Sequence, residues 1–142
     1  DTCLPKDGLK RIGDSLKNQD ISAGAFDLGI RADGFAFRLI EQMVFWRSRI
    51  TRIPYGDQAI FIRHSIFKAL GGYRQIPIME DIDLIKRVKK TGGRITIIDS
   101  QIWTSSRRWE KEGIIACTLR NWLLSSAFYL GVPPEKLQKF YH

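Results

Sequence analysis

The chain has 142 residues, of which 44% are hydrophobic and 27% are charged. This composition excludes an intrinsically disordered chain and a membrane-embedded one, and the length suffices to bury a substantial core. The formal net charge of +8 favours an acidic partner, for which nucleic acid, anionic lipid and a nucleotide diphosphate all qualify.

The first third of the chain predicts two helices separated by a strand. Residues 7–17 have apolar residues at helical spacing, residues 21–30 are typical of a strand, and residues 35–50 predict the second helix. That second helix is expected to bury an apolar stripe, with Glu41 outside it. The stripe consists of Leu39, Met43, Trp46 and Ile50.

The middle of the chain continues this alternation. An apolar run over residues 58–63 predicts a short buried strand, and His64 follows it as a structural residue at the start of a helix. A further helix starts at Glu80-Asp81. Residues 94–98 and 102–104 predict two more strands, so the expected fold class is α/β, in a single domain over residues 1–142.

A long helix is expected over residues 110–130, and Pro133-Pro134 ends it and starts a terminal helix. Its apolar stripe is wide, comprising Ile115, Leu119, Trp122, Leu123 and Leu130. Packing in the core is the first interpretation of that stripe. A dimer contact and a helix lying on a membrane surface are the alternatives.

The most informative motif is the run from Met79 to Leu84, which follows Gly71-Gly72-Tyr73 after a short loop. At about 100° per residue, Asp81 falls on the apolar face of the predicted helix with Leu84, Ile85 and Val88, whereas Asp83 is expected to point to water. An inward carboxylate at a helix start has two interpretations. It either caps the free amide groups of the first turn or acts as a base.

The order of these elements resembles the second half of a family 2 glycosyltransferase of the GT-A fold. In that family a glycine pair, a variable loop and an ED-x-D-L helix recur in this sequence. Residues 55–63, 67–72 and 104–110 extend the resemblance to a bacterial subgroup associated with radical-SAM or selenium-related genes.

The resemblance implies a Rossmann-like nucleotide-diphospho-sugar transferase fold whose first βαβ units are absent from this chain. The chain is then a truncated catalytic domain, the acceptor-side half with its C-terminal helices. In that family the second acid of the pair, here Asp81, is the usual catalytic base, and Glu80 is assigned to acceptor binding. Asp1 corresponds to the last aspartate of the DxD motif, a ligand for Mg²⁺ or Mn²⁺.

Arg107-Arg108-Trp109 is the second group of candidate site residues. Arginine suits diphosphate binding because its planar guanidinium makes bidentate contacts, and Trp109 has a flat face suited to a sugar ring. The pair Arg108-Trp109 is similar to the end of the Q-x-x-R-W motif of processive family 2 enzymes, but Ser105 stands in place of the glutamine. The alternative is a structural arginine pair with Trp109 packed in the core.

Asp57 and Gln58 are assigned to the acceptor because they lie at the start of the strand predicted over residues 58–63, where functional groups gather in doubly wound sheets. A plain turn explains Gly56-Asp57 equally well. The two cysteines, Cys3 and Cys117, have neither metal-binding nor redox spacing and are expected to be reduced structural thiols.

The resemblance therefore implies transfer of a sugar from a nucleotide-diphosphate donor to a hydroxyl acceptor, with inversion and with a Mg²⁺ or Mn²⁺ cofactor. A lipid-linked acceptor, a homodimer and peripheral contact with the inner face of the membrane are open options for a cytoplasmic protein. No nucleic-acid motif is present. The rival interpretations are a non-catalytic scaffold and a basic module that binds anionic surfaces.

Overall fold

The computed structural model describes residues 2–141 as an α/β fold with a three-stranded mixed sheet and seven α-helices. The helices are α1 (Gly8–Leu16), α2 (Phe35–Thr51), α3 (His64–Ala69), α4 (Glu80–Lys90), α5 (Arg107–Glu112), α6 (Ile114–Tyr129) and α7 (Pro134–Gln138). The strands are β1 (Ile21–Arg31), β2 (Phe61–Ile62) and β3 (Arg94–Ser105), and a 3-10 turn spans Gly56–Gln58. The expected α/β class is confirmed.

The sheet has the order β2-β1-β3, with β1 parallel to β3 and antiparallel to β2. Every residue from Ile21 to Ile30 is buried, as expected for a central strand paired on both sides. Gly24 is needed in β1 because a Cβ there would lie 2.4 Å from Phe61 Cζ. The glycine therefore allows the Phe61 ring to pack directly against the backbone of the central strand.

Two helices pack on the sheet with large apolar faces. Helix α4 contributes Ile82, Ile85 and Val88 to a core cluster with Ala23 and Ile95 of the two parallel strands. Helix α2 packs along the other end of β1. Its cluster consists of Leu28, Ile30, Phe37, Ile40 and Val44. Among residues 2–141, no helix is both long enough and apolar enough to cross a bilayer.

The two strands predicted over 94–98 and 102–104 are one continuous strand, β3. Phe26 of β1 pairs with Ile98 but Asp27 pairs with Gln101, so Asp99 and Ser100 form an irregularity within β3. A bulge of this kind interrupts the alternation of apolar and polar residues without ending the strand. The sequence pattern therefore resembles two strands.

The prediction of one long helix over 110–130 is wrong, since Gly113 separates two helices, α5 and α6. Gly113 has φ +87°, a left-handed conformation that glycine adopts readily and that no α-helix continues through. The first of the two helices starts at Arg107, three residues before the predicted boundary. The predicted candidates Arg107, Arg108 and Trp109 consequently form the first turn of a short helix.

Both predicted buried stripes are largely exposed. On α2 the exposed fractions are 49% for Leu39, 60% for Trp46 and 78% for Ile50, while the buried face includes Glu41, which was expected outside the stripe. On α6 the residues Ile115 and Leu123 are 75% and 70% exposed, and Leu130, directly after the helix, is 87% exposed. These helices have apolar residues on more than one face, so periodicity alone does not show which face meets the sheet.

The expectation that Asp83 points to water is also wrong. Asp83 is 9% exposed, and its carboxylate receives Arg87 Nε at 2.8 Å and Arg74 Nη1 at 3.3 Å. Arg87 also donates to the carbonyl oxygens of Leu70 and Gly72, so this ion pair anchors the glycine loop to α4. Burial of Asp83 follows from these partners, which helical phase does not reveal.

Candidate functional site

A cleft of about 430 Å³ opens between the 3-10 turn, the start of α4 and the C-terminal helices. Its lining consists of Tyr55, Gly56, Asp57, Pro77, Ile78, Met79, Glu80, Asp81, Ile82, Arg108, Asn121, Ser125 and Tyr141. Four of the predicted site residues, Asp57, Glu80, Asp81 and Arg108, therefore meet in one place. They come from segments separated by more than 20 residues in sequence.

The topology of the sheet explains this convergence. Because β1 and β3 are parallel, their carboxyl ends lie at the same edge, and α5 follows β3 directly there. Strand β2 is antiparallel to β1, so the turn before it lies toward the same edge, where Gln58 Nε2 donates to Phe26 O at 3.1 Å. Carboxyl ends of parallel strands are where α/β sheets hold their functional groups.

Asp81 lies at the wall of the cleft and is partly exposed. Its Oδ2 accepts a hydrogen bond from Gly56 N at 2.5 Å, and its Oδ1 accepts one from Ile82 N at 2.8 Å. Asp81 thus ties the 3-10 turn to the start of α4 and satisfies one of the amides of that helix start. A carboxylate has about four acceptor positions, so these two bonds leave room for a proton from the cleft.

Met79 sets the direction of Glu80 and Asp81. It has φ +66° and ψ +22°, a left-handed conformation that is uncommon for residues other than glycine. Its side chain packs against two apolar clusters, which hold the backbone in that conformation. Strained backbone of this kind is concentrated at functional sites.

Asp57 separates the cleft from a second cavity of about 610 Å³ and lines both. Although the residue as a whole is exposed to these cavities, the surrounding protein desolvates its carboxyl and raises its pKa. The positive charge of Arg47 opposes this increase, and the negative charge of Asp81 adds to it. A carboxyl with a raised pKa beside an ionised one is a common arrangement for acid–base chemistry.

The acidic residues at the start of α4 also affect the pKa values of two tyrosines. Burial raises the pKa of Tyr73, and the negative charges of Asp81 and Glu80 raise it further. The pKa of Tyr129 is also raised, first by burial and then by neighbours that include Asp81. The cleft therefore has an acidic side at the start of α4.

Arg108 provides the positive charge on the opposite side of the cleft. Its Nη1 donates to Tyr141 Oη at 2.7 Å, its guanidinium lies 4.5 Å from the centre of the Tyr141 ring, and Nε lies 3.5 Å from Glu112 Oε1. These contacts hold the side chain on α5 between the two cavities, both of which it lines. The guanidinium is thus held where it can meet an anion.

The second cavity gathers the remaining predicted residues on α5. Arg107 is exposed there, and Trp109 is half-buried, with its ring edge-to-face against Phe37 at 6.4 Å between ring centres. Trp109 therefore combines the two interpretations, since it packs on the α2 cluster and also lines the cavity.

Gln58 does not fit the predicted contact with an acceptor. It is completely buried, and its amide group is used within the protein: Nε2 donates to Phe26 O, while Oε1 accepts from Arg47 Nη2 at 2.8 Å. Neither cavity is lined by it. Gln58 is instead a positioning residue that fixes the turn carrying Asp57.

The predicted metal ligand Asp1 lies outside the described residues. Among residues 2–141, no group of three or more His, Cys, Asp or Glu side chains is placed to hold a metal ion.

Three lining residues come from the C-terminal part of the chain and were not predicted as site residues: Asn121, Ser125 and Tyr141. They reach the cleft because α6 and the segment after α7 fold back over the start of α4. Nothing in their local sequence indicates a site.

No family model, no curated protein and no solved structure matches this chain. The fold and the cleft define an α/β domain with a polar, mainly acidic cleft at the carboxyl edge of a mixed sheet. Any more particular function rests on the chemistry of that cleft and on the resemblance of its motifs.

Proposed function

We propose that this chain is the acceptor-side part of a GT-A glycosyltransferase that resembles family 2, and that Asp81 is its catalytic base. The donor is a nucleotide-diphosphate sugar, the acceptor carries a hydroxyl group, and transfer proceeds with inversion. The single observation that supports this best is that one cleft gathers Asp81, Glu80, Asp57 and Arg108 at the carboxyl edge of the sheet.

The proposed reaction places the acceptor hydroxyl beside Asp81. The carboxylate takes the hydroxyl proton while the oxygen attacks the anomeric carbon, and the bond to the diphosphate breaks on the opposite face of the sugar. The backbone amides of Gly56 and Ile82 hold the carboxylate in place during this step. General base catalysis of this kind contributes about 10²–10⁴ in rate.

The proposed reaction requires positive charge near the diphosphate and carboxylates near the acceptor. Arg108, between the two cavities, and Arg107, on the second cavity, supply positive charge for the diphosphate leaving group. Trp109 lines the same cavity and offers its ring to a sugar. Glu80 and Asp57 line the cleft together with Asp81, where they accept hydrogen bonds from acceptor hydroxyl groups.

The proposed Mg²⁺ or Mn²⁺ cofactor depends on the resemblance at Asp1. Residues 2–141 supply no complete set of ligands for it, so we assign no step to the cation.

The non-catalytic scaffold remains a second candidate because one observation favours it. The apolar stripes of α2 and α6 are exposed, as they are on a surface that meets a partner. A scaffold needs neither turnover nor nucleotide binding, so one experiment separates the two candidates.

The experiment measures hydrolysis of UDP-, GDP- and dTDP-sugars by the complete protein with Mn²⁺, beside Asp81→Asn. We expect turnover of one donor and a decrease of about 10²–10⁴ in the variant, with unchanged donor binding by calorimetry and an unchanged circular dichroism spectrum. Asp20→Asn, at an exposed turn before β1, is the matched control and should keep full activity.

Two results would contradict the proposal. A folded Asp81→Asn variant with full turnover would exclude Asp81 as the base. Absence of both turnover and nucleotide binding in the complete protein would favour the scaffold. An unfolded Asp81→Asn variant would instead show that the bonds to Gly56 and Ile82 are chiefly structural.

A further inference from the structure

A second, mainly apolar groove of about 590 Å³ lies between α2 and α6. Leu39, Met43 and Trp46 of α2 form one wall, and Trp122 and Tyr129 of α6 form the other. Its volume is in the usual range of small-molecule sites, which are concave and lined mainly by apolar and aromatic side chains. We call it the α2–α6 groove.

The α2–α6 groove adjoins the candidate cleft. Tyr55 and Ser125 line both of them, so the two compartments are direct neighbours. The two compartments differ in chemistry, since the cleft is acidic and polar whereas the groove is apolar. A molecule that fills both therefore needs a polar head and an apolar tail.

Positive charge lies where the two compartments meet. Arg47 lines the groove, and its guanidinium stacks 3.5 Å from the centre of the Tyr55 ring. Its Nε is buried and has no hydrogen-bond partner among the described residues. Lys86 Nζ lies 5.2 Å from the centre of the Tyr129 ring, but Lys86 itself lines neither the cleft nor the groove. An anionic group in the groove beside Arg47 would neutralise the charge of Arg47.

We propose that the α2–α6 groove binds the apolar chain of a lipid-bearing acceptor, with an anionic group of that acceptor beside Arg47 and its hydroxyl-bearing head in the cleft. The assignment of the molecule as an acceptor rests on the proposed glycosyltransferase function. Binding of an anionic amphiphile in the groove does not, since it follows from the shape and the charges of the groove alone.

A second copy of the chain is a poorer occupant. The formal net charge of +8 brings like charges together when two copies meet, which opposes association. The same charge attracts an anionic amphiphile.

The test is calorimetric binding of decyl phosphate, below its micellar concentration, to the full chain. We expect decyl phosphate to bind more tightly than decanol, because only the phosphate meets the positive charge of Arg47. Leu39→Glu places a carboxylate in the groove and should weaken binding of decyl phosphate by about tenfold or more. Trp46→Glu, on the same wall, is the second variant if the first does not fold.

Ile50→Glu is the matched control. Ile50 is on the same helix and is 78% exposed, but it does not line the groove. It should change the affinity for decyl phosphate less than about twofold, since its new charge stays in water.

Three results would overturn the proposal. The first is a folded wild-type chain that does not bind decyl phosphate. The second is an equal decrease in the affinity for decyl phosphate in Leu39→Glu and Ile50→Glu, when both variants also fail to co-sediment with phosphatidylglycerol vesicles that bind the wild type. That result would indicate a helix face that lies on a membrane surface. The third is a dimer in sedimentation velocity that both variants abolish, which would indicate a second copy.

Failure of this inference is distinguishable from failure of the proposed function. Asp81→Asn should still bind decyl phosphate at least as tightly as wild type, because Asp81 does not line the groove and its negative charge does not favour an anion. Decyl phosphate binding without any sugar-nucleotide turnover would support the groove and contradict the transferase. Sugar-nucleotide turnover without decyl phosphate binding would support the transferase and contradict the groove.

Discussion

Helices α4 and α2 are both amphipathic by sequence, but only α4 buries the stripe that its sequence predicts. Leu84, Ile85 and Val88 of α4 are each 0% exposed, whereas Leu39 and Ile50 of α2 are 49% and 78% exposed. The difference is that the face of α4 opposite its apolar stripe is charged, while α2 has apolar residues on two faces. Periodicity identifies a helix, but it identifies the buried face only where the other face is polar.

The buried face of α2 is partly polar because the sheet and the 3-10 turn require it. Glu41 accepts a hydrogen bond from Ile30 N at 2.6 Å, and Ser48 Oγ donates to Gln58 Oε1 at 3.1 Å. Glu41 thus satisfies a buried backbone amide, and Ser48 adds a hydrogen bond to the buried side chain of Gln58. The face that meets the sheet is thus chosen by hydrogen bonds as well as by apolar area.

The largest effect is expected in the core cluster under α4. Ile85→Ala removes a completely buried side chain and should lower the free energy of unfolding by about 2–5 kcal/mol, measured by urea denaturation. Ile50→Ala on α2 should change it by no more than about 0.5 kcal/mol, because Ile50 is already in water. Equal losses in the two variants would show that something covers the α2 stripe.

A smaller effect is expected from the ion pair of Asp83. Asp83→Asn removes the charge that Arg87 and Arg74 contact, and hydrogen bonds to charged groups are worth about 1.5–3 kcal/mol. The variant should therefore be less stable to urea by about that amount. Its control, Asp7→Asn, breaks the exposed pair with Arg11 and should cost less than about 1 kcal/mol. An Asp83→Asn variant as stable to urea as wild type would show that the carboxylate contributes no net stability.

Much of the fold follows from the sequence because the central elements have strong local patterns. The strand over residues 21–30 and the helices starting at residues 35, 64 and 80 are confirmed to within one or two residues. The misplaced boundaries have local causes: a bulge in β3 preserves the strand while breaking its alternation, and Gly113 breaks a helix whose apolar spacing continues.

The sequence predicts candidate site residues only where they belong to a short motif of consecutive residues. Asp81 and Arg108 are predicted from the short motifs around them, and both line the cleft. Tyr141 is not predicted, because its contact with Arg108 joins residues 33 apart in sequence. The burial of Gln58 is not predicted either, since its partners Phe26 and Arg47 are also distant in the chain.

A pH-dependent effect is expected at Asp57. Its pKa is raised above the ordinary value of 3.8, so the folded protein holds this proton more tightly than the unfolded chain does. The carboxyl therefore destabilises the folded state increasingly as the pH rises from about 3.8 through its raised folded pKa. Asp57→Asn should raise the urea midpoint at pH 7, and this gain should disappear toward pH 3.

Asp14→Asn is a control of opposite sign for the Asp57 experiment. The hydrogen bond and positive charge of Lys17 hold the pKa of Asp14 below its ordinary value, so its contribution to stability is present at neutral pH and lost in acid. A lower midpoint for Asp57→Asn than for wild type at pH 7 would show that the Asp57 carboxylate is stabilised in the fold.

The smallest effect is expected on the outer face of α6, whose apolar side chains differ most in exposure from the buried stripe of α4. Ile115 and Leu123 are 75% and 70% exposed, so replacing either by Gln removes almost no buried apolar area. Each variant should keep its free energy of unfolding within about 0.5 kcal/mol of wild type in urea denaturation. Leu124→Ala, adjacent in sequence but 5% exposed, is the internal standard and should lose about 2–5 kcal/mol. If Leu123→Gln were as damaging as Leu124→Ala, α6 would have to bury its outer stripe in solution, and the exposed face that distinguishes it from α4 would belong to an interface.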